Sequence, residues 1–272
     1  MKISVIISTY DMPDHLARAL CGYFRQLREP DEILVADDGS GSATRRVVQD
    51  WSSRLPLRHV WQEKSGFGKC AVLNKAIGAA CGDYLIFSDG DCIPEPAFLQ
   101  VHASEAAPGQ FLSGGAIRLG RAATERLRQE DVVDGRIFTP DWLARNGVRL
   151  RERLKLSGSG TLRRLINRAS PTQPTFNGNN ASAWRSDVVR VNGFDERMVY
   201  GGLDRDLGER LERVGVRGRS IRYAATLIHL DHPRSYKSSA GMAANLRIRT
   251  ENRFLGRSWT PYGLQKGEDS GR

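Results

Sequence analysis

Three short polar clusters close apolar runs in this sequence: Ser8-Thr9-Tyr10-Asp11, Asp37-Asp38-Gly39-Ser40 and Asp89-Gly90-Asp91-Cys92. Each alone reads as a turn with a helix cap, because Asp, Ser and Gly are ordinary turn residues. Together, at equivalent strand ends, they describe an acidic edge. Clustered carboxylates repel one another and repel phosphate, and a divalent cation reverses both effects. Asp89-Gly90-Asp91 sets two carboxylates around a flexible centre, so one can meet a ribose or base and the other a hard cation. Asp204 opens a helical stretch, where it can cap the helix or take a proton. His229 and His232 follow a strand-like run and can either pack or ligate a metal.

The elements that must position these groups alternate regularly. Short β-branched runs at 3–8, 32–36, 57–61, 84–88 and 111–117 read as strands. Between them, 14–27 carries Leu16, Leu20, Phe24 and Leu27 at helical spacing, and helices are expected at 42–51 and 69–80. Alternating strands and helices predict an α/β fold with a mostly parallel sheet covered on both faces, and ligands bind outside the carboxyl ends of such strands. Order returns at Phe176 with turns at 177–180 and 192–196, a helix over 204–214, a strand over 219–228 and a helix over 239–254. The expected division is a nucleotide-binding half (1–117), a basic, partly mobile acceptor-side segment (118–175), a catalytic and acceptor-binding half of the same domain (176–258) and a polar tail (259–272).

The chain has 272 residues, a formal charge of +10 and 40% apolar residues. That excludes disordered, collagen-like and miniature disulfide-stapled classes, and leaves one large domain or two small ones. Residues 118–170 hold 13 Arg plus Lys and 6 Asp plus Glu, an excess of 13 − 6 = +7. This segment reads as a solvated basic surface or as a clamp for an anionic acceptor, a phospholipid surface or a diphosphate. Cys21, Cys70, Cys81 and Cys92 form no Cys-x-x-Cys pair, so reduced thiols are expected. No apolar stretch approaches the ~20 residues of a membrane helix, and no signal-peptide core is present. A cytoplasmic protein is expected, with peripheral contact at the inner membrane face available to the arginines of the C-terminal helix.

Ser-Val-Ile-Ile-Ser-Thr-Tyr at 4–10, Ala-Asp-Asp-Gly-Ser at 36–40 and Phe-Ser-Asp-Gly-Asp at 87–91 resemble the family 2 glycosyltransferases, which have a GT-A fold. So do Asn192-Gly193-Phe194-Asp195-Glu196 and Gly201-Gly202-Leu203-Asp204-Arg205-Asp206-Leu207. The C-terminal part resembles the galactosyltransferase-type segment of chondroitin-polymerase-like enzymes. The resemblance implies metal-dependent, inverting transfer of a sugar from a nucleotide donor, expected to be UDP-linked, to a hydroxyl on a glycan, lipid-linked or small-molecule acceptor, with no nucleic-acid partner. It implies that Ser8, Tyr10 and Asp38 hold the nucleobase, that Lys69 or Lys64 approaches the base or diphosphate, and that Asp89 meets the ribose. Asp91 would ligate Mn²⁺ or Mg²⁺ with His232, or alternatively His229. Asp204 matches the family's catalytic base, with Asp206 as the alternative. Leu203 stands where the family often has Glu, so any acceptor bond from that Glu is lost.

Other readings leave specific traces. A nucleotidyltransferase would want a Gly-rich basic loop after the first strand, and a dehydrogenase a Gly-x-Gly-x-x-Gly there. A phosphate loop at Gly66-Phe67-Gly68-Lys69 fails, because position 63 is Glu and Cys70 follows the lysine. A non-catalytic basic protein binding RNA or membranes is permitted by charge but has no use for three acidic strand ends. Trp142 and Trp184 are candidates for stacking on a sugar or for the core.

Overall fold

The computed structural model describes residues 1–234 and 236–266. Ten strands appear among them: β1 (Ile3–Thr9), β2 (Glu32–Asp37), β3 (Leu57–Trp61), β4 (Tyr84–Asp89), β5 (Cys92–Pro94), β6 (Gln110–Ser113), β7 (Gly115–Arg118), β8 (Asn180–Trp184), β9 (Arg217–Ser220) and β10 (Thr226–His229). The main sheet runs β3-β2-β1-β4-β8-β6-β9, and a second sheet runs β5-β10-β7. The first four strands of the main sheet are mutually parallel, and β8 enters antiparallel between β4 and β6.

Alternation along β1 shows why this sheet needs cover on both faces. Ile3, Val5 and Ile7 join one apolar core and Ile6 the other. Helices α1 (Pro13–Phe24), α2 (Ser42–Trp51), α3 (Lys69–Ala79) and α4 (Phe98–Glu105) follow successive strands. Proline at the first position of α1 suits a site whose N–H has no intrahelical partner. The apolar spacing over 14–27 overshoots: α1 ends at Phe24, and Phe24 and Leu27 are exposed.

The expected strands at 111–117 and 219–228 are each two strands in different sheets. The first switches at Gly114 and Gly115, where the Gly114 N–H donates to Asn180 and the Gly115 N–H to Ala225. A Cβ at Gly115 would strike the Arg222 carbonyl, so the crossing needs glycine. The second switches through a turn in which the Ala224 and Ala225 N–H groups both bond the Ile221 carbonyl. Apolar residues resume beyond each crossing, so each pair of strands reads as one run in sequence.

Residues 121–169, without a sustained period in sequence, form a chain of short helices: α5 (Arg121–Arg126), α6 (Gln129–Val133), α7 (Pro140–Arg145), α8 (Leu150–Arg153) and α9 (Gly160–Ala169). Beyond them lie α10 (Arg185–Arg190), α11 (Leu203–Arg213) and α12 (Ser239–Phe254). The four cysteines stand as free thiols, and no helix of the described residues is long and apolar enough to cross a membrane.

Candidate active site

Strand register builds the acidic edge. Parallel pairing sets Ser8 beside Asp89 and Thr9 beside Asp37 at the carboxyl ends of β1, β4 and β2. Ser8 Oγ donates to Asp89 Oδ1 at 2.6 Å, and Lys69, the first residue of α3, donates to the same oxygen at 2.7 Å. Burial opposes the Lys69 charge, but Asp89, Asp204 and Asp91 around it raise its pKa above the ordinary lysine value. Lys69 is thus a cation held among three carboxylates.

Asp38 has its own set of partners. Gln62 Nε2 donates to Oδ1 at 2.7 Å, while Lys64 Nζ at 2.5 Å and the Gly68 N–H at 2.9 Å donate to Oδ2. The Lys64 ammonium also lies 3.8 Å from the centre of the exposed Tyr10 ring, a cation–π contact. Lys64 therefore belongs with Tyr10 and Asp38, and Lys69 with Asp89. The loop can close this tightly because Gly39, at φ +89, lies against Lys64, and a Cβ on Gly68 would strike Asp38 and Gln62. Gln62, whose amide also donates to the Gly68 carbonyl at 3.0 Å, carries no motif signal in sequence.

Past Gly90 the chain turns into β5, where Asp91 meets the end of β10. Asp91 Oδ2 lies 2.9 Å from His232 Nε2 and 3.6 Å from His229 Nε2. Nδ1 of His229 is 2.8 Å from the Leu230 carbonyl, and Nδ1 of His232 is 2.8 Å from the Pro233 carbonyl. A carbonyl only accepts, so each Nδ1 carries a proton and each Nε2 is turned to the carboxylate. Burial raises the Asp91 pKa, but the His232 bond and both imidazoles overcome it and hold the carboxyl well below its usual range. The same bond raises His232. These three residues offer ligand atoms within 4.8 Å of one another. One carboxylate with two imidazoles fits a divalent cation, and the nitrogen donors suit Mn²⁺ better than Mg²⁺, which takes oxygen ligands. Cys92 also lies close, but burial first, then Asp91 and Asp89, push its thiol well up, so it stays protonated and donates to Asp91 Oδ1 at 3.2 Å.

Asp204 is the second residue of α11, not its cap. The cap is Gly202, in the left-handed conformation at φ +87 directly after Gly201 at φ +102. Asn245 of α12 holds this double-glycine entry by donating to the Val199 and Gly201 carbonyls at 2.6 and 2.7 Å. Asp204 Oδ1 is enclosed without a hydrogen-bond partner among the described residues. Gly178, two residues before β8, packs so closely on the carboxylate that no Cβ would fit. Burial pushes the Asp204 pKa up to about 6; the Lys69 charge opposes this and the Asp89 charge adds to it. A carboxyl poised near neutrality, with an unpaired oxygen beside a lysine, is equipped to take a proton.

Asp206 is not an alternative to it. Its Oδ2 accepts from Arg210 Nε at 2.7 Å and its Oδ1 from Asn252 at 3.0 Å, and both members of the ion pair are fully buried. Arg210 also donates to the Val191 and Gly193 carbonyls, tying α11 to the 192–196 turn. Asp206→Ala leaves a buried guanidinium unpaired and is expected to cost about 3–5 kcal/mol of stability, read from urea unfolding. A loss below ~1 kcal/mol would show that the pair does not organise the helix. Leu203, at the position where the family often has Glu, is buried in the apolar core with Leu207 and Leu211.

Neither tryptophan joins the site. Trp184 pairs with Tyr84 at the opposite end of β4, donates to the Ala107 carbonyl at 3.0 Å and packs edge-on to Tyr84. Trp142 packs on the core from α7. The aromatic groups near the site are unmarked in sequence: Tyr236, whose ring centre is 6.3 Å from that of His232, with Tyr200 at 5.0 Å and Phe67 at 6.0 Å.

Residues 4–161, more than half of the chain, match the family model described as Glycosyl transferase family 2. The chain belongs to glycosyl transferase family 2. Among curated relatives, validoxylamine A glucosyltransferase of Streptomyces hygroscopicus subsp. limoneus is 29% identical over 228 residues, 79% of this chain and 48% of the relative. Chondroitin synthase of Escherichia coli is 25% identical over 98% of this chain and 39% of its own length. This family 2 chain therefore spans about half or less of those relatives. The GT-A architecture is shared with S. aureus TarS 1-349 in complex with UDP-GlcNAc, at TM-score 0.65 and 17% identity over 92% of this chain and 66% of that one. It is shared too with the mannosyltransferase PcManGT from Pyrobaculum calidifontis in complex with GDP-Man and Mn2+, at TM-score 0.58 and 19% identity over 94% of this chain and 62% of that one.

Proposed function

We infer that this glycosyltransferase moves a sugar from a UDP-linked donor to a hydroxyl of a glycan, lipid-linked or small-molecule acceptor, with inversion, and uses Mn²⁺ or Mg²⁺. The observation that carries this reading is the meeting of three groups at one strand edge: the Asp91-His229-His232 cluster, the Lys69-Asp89 pair and the Asp204 carboxyl, whose charge Lys69 also feels. A cation there offsets negative charge on a leaving diphosphate. Asp91, His229 and His232 would hold it. Ser8 and Lys69 fix Asp89 so that its second oxygen faces a ribose, and Lys69 adds positive charge beside the diphosphate. Tyr10, Asp38 and Lys64 would hold the base; Asp38 Oδ1, with one protein donor, has a lone pair left for a uracil-like N–H. Asp204 takes the acceptor hydroxyl's proton as oxygen attacks the anomeric carbon opposite the leaving diphosphate.

Family membership and neighbours bound to UDP-GlcNAc and to GDP-Man support a nucleotide-sugar donor, and the lone pair left on Asp38 Oδ1 supports uridine over guanosine. The test is a thermal-shift panel of UDP-glucose, UDP-GlcNAc and GDP-mannose, each with and without MnCl₂. A ligand at about 100 times its Kd stabilises by ~2.7 kcal/mol, a rise of roughly 5–10 °C for a domain of this size. The UDP-sugars are expected to reach it only with Mn²⁺. Equal shifts without metal would overturn the metal assignment, and a response to GDP-mannose alone the uridine one.

A further inference from the structure

Helix α9 packs against the protein by its polar side. Leu162, Leu165, Ile166 and Ala169 recur at spacings of three and four and so share one arc of its surface. An amphipathic helix ordinarily turns such an arc to the core. Here Arg163 and Asn167, one turn apart, make the anchor instead. Arg163 donates to both oxygens of buried Glu95, at 2.9 and 2.5 Å, and to the Tyr223 and Ala224 carbonyls. Asn167 Oδ1 accepts the Tyr223 N–H at 2.9 Å. No residue of α9 is buried, and Leu162 and Leu165 are 48% and 54% exposed. Just upstream, Leu150 and Leu154, also one turn apart, are 64% and 50% exposed beside Arg149 and Arg151.

We propose that α8 and α9 dock this chain on an anionic phospholipid surface, their leucines entering the headgroup–acyl boundary and Arg149, Arg151 and Arg168 meeting lipid phosphates. Exposed apolar arcs with flanking arginines are what a helix lying in the plane of a bilayer presents. Charge selects the lipid over a second copy of the chain. A two-fold contact would bring this patch, from a segment of net charge +7, against itself, whereas an anionic bilayer neutralises it. Two of the three arginines of α12, Arg249 and Arg253, pair with Glu209, and Arg257 beyond its end pairs with Glu251. The Glu95 anchor accepts the N–H of Thr226, the first residue of β10, whose last residue is His229. The anchor of α9 and the metal-ligating cluster thus meet opposite ends of one strand, about 10 Å apart along it.

Co-sedimentation of the full chain with vesicles tests this. Vesicles of equal parts phosphatidylglycerol and phosphatidylcholine are expected to pellet the protein at 50 mM salt, and phosphatidylcholine alone to leave it in solution. L162E/L165E is expected to weaken partition about 100-fold, roughly tenfold per leucine. R149A/R151A/R168A, of whose side chains only exposed Arg151 makes an ion pair among the described residues, with its chain neighbour Glu152, is expected to weaken it on the order of 100-fold and to flatten its salt dependence. Failure of the parent chain to bind the anionic vesicles, or undiminished binding by both variants, overturns the proposal. So does a dimer in gel filtration that L162E/L165E returns to monomer, which would assign the face to a second copy.

Discussion

Asp204→Asn is expected to lower sugar transfer by about 10²–10⁴-fold while leaving UDP binding in place. The effect is large because Asp204 is only half-buried: its Oδ1 is enclosed against Gly178, and the other carboxylate oxygen is left to meet an incoming hydroxyl. The variant should also be at least as stable as the parent above pH 6. The folded-state pKa of Asp204 is raised, to about 6, so the ionised form is penalised on folding and stability falls as pH rises through that value; asparagine escapes the penalty. A loss of turnover with an undiminished melting temperature therefore separates chemistry from folding. The parent should lose kcat/KM tenfold per pH unit below about 6, measured at saturating Mn²⁺ so that protons competing for the histidines do not set the limb. An Asn variant that still transfers sugar, or a profile flat to pH 4.5, moves the base elsewhere. Asp206 is not available for the role, since both its oxygens are already used.

Asp91→Ala is expected to abolish Mn²⁺-dependent nucleotide binding and to lower transfer on the order of 10³-fold, the rate equivalent of several kcal/mol of charge stabilisation. Asp91 is the shared partner of both imidazoles, so removing it leaves two neutral nitrogens that bind a hard cation weakly. Titration calorimetry with MnCl₂ reads the loss directly, and His232→Ala should reproduce it in part, by about 10–100-fold in metal affinity. Retention of Mn²⁺-stimulated binding by Asp91→Ala would leave Asp89 and Cys92 as the remaining cluster and overturn the assignment.

The two variants probe opposite sides of Lys69. That residue pairs with Asp89 and lowers the Asp204 pKa against burial, so one cation acts on both carboxylates. Asp204 is positioned by Gly201, Gly202, Gly178 and the Asn245 amide.

The local signals that proved legible in sequence are those carried by adjacent residues. The runs ending at Ser8, Asp37 and Asp89 are short, nearly continuous apolar stretches that stop in turn residues, so strand, end and acidic edge can be read before any contact is known. Asp204 is singled out by the resemblance of the run 201–207 to the family's pattern at a helix start. What adjacency does not encode was decided by the tertiary structure. The sheet crossings at Gly114-Gly115 and at 221–225 depend on which strand lies alongside, and the apolar pattern is the same on either course. Asp204 and Asp206 are both acidic and two residues apart on one helix, yet the three-dimensional fold gives one a buried arginine and leaves the other unpaired, because a two-residue step turns a helix by about 200°. Which aromatic residues border the site, and which arc of α9 faces water, were likewise decided by partners distant in sequence: the ion pair of Arg163 with buried Glu95 holds the polar side of that helix inward against the ordinary preference of its leucines.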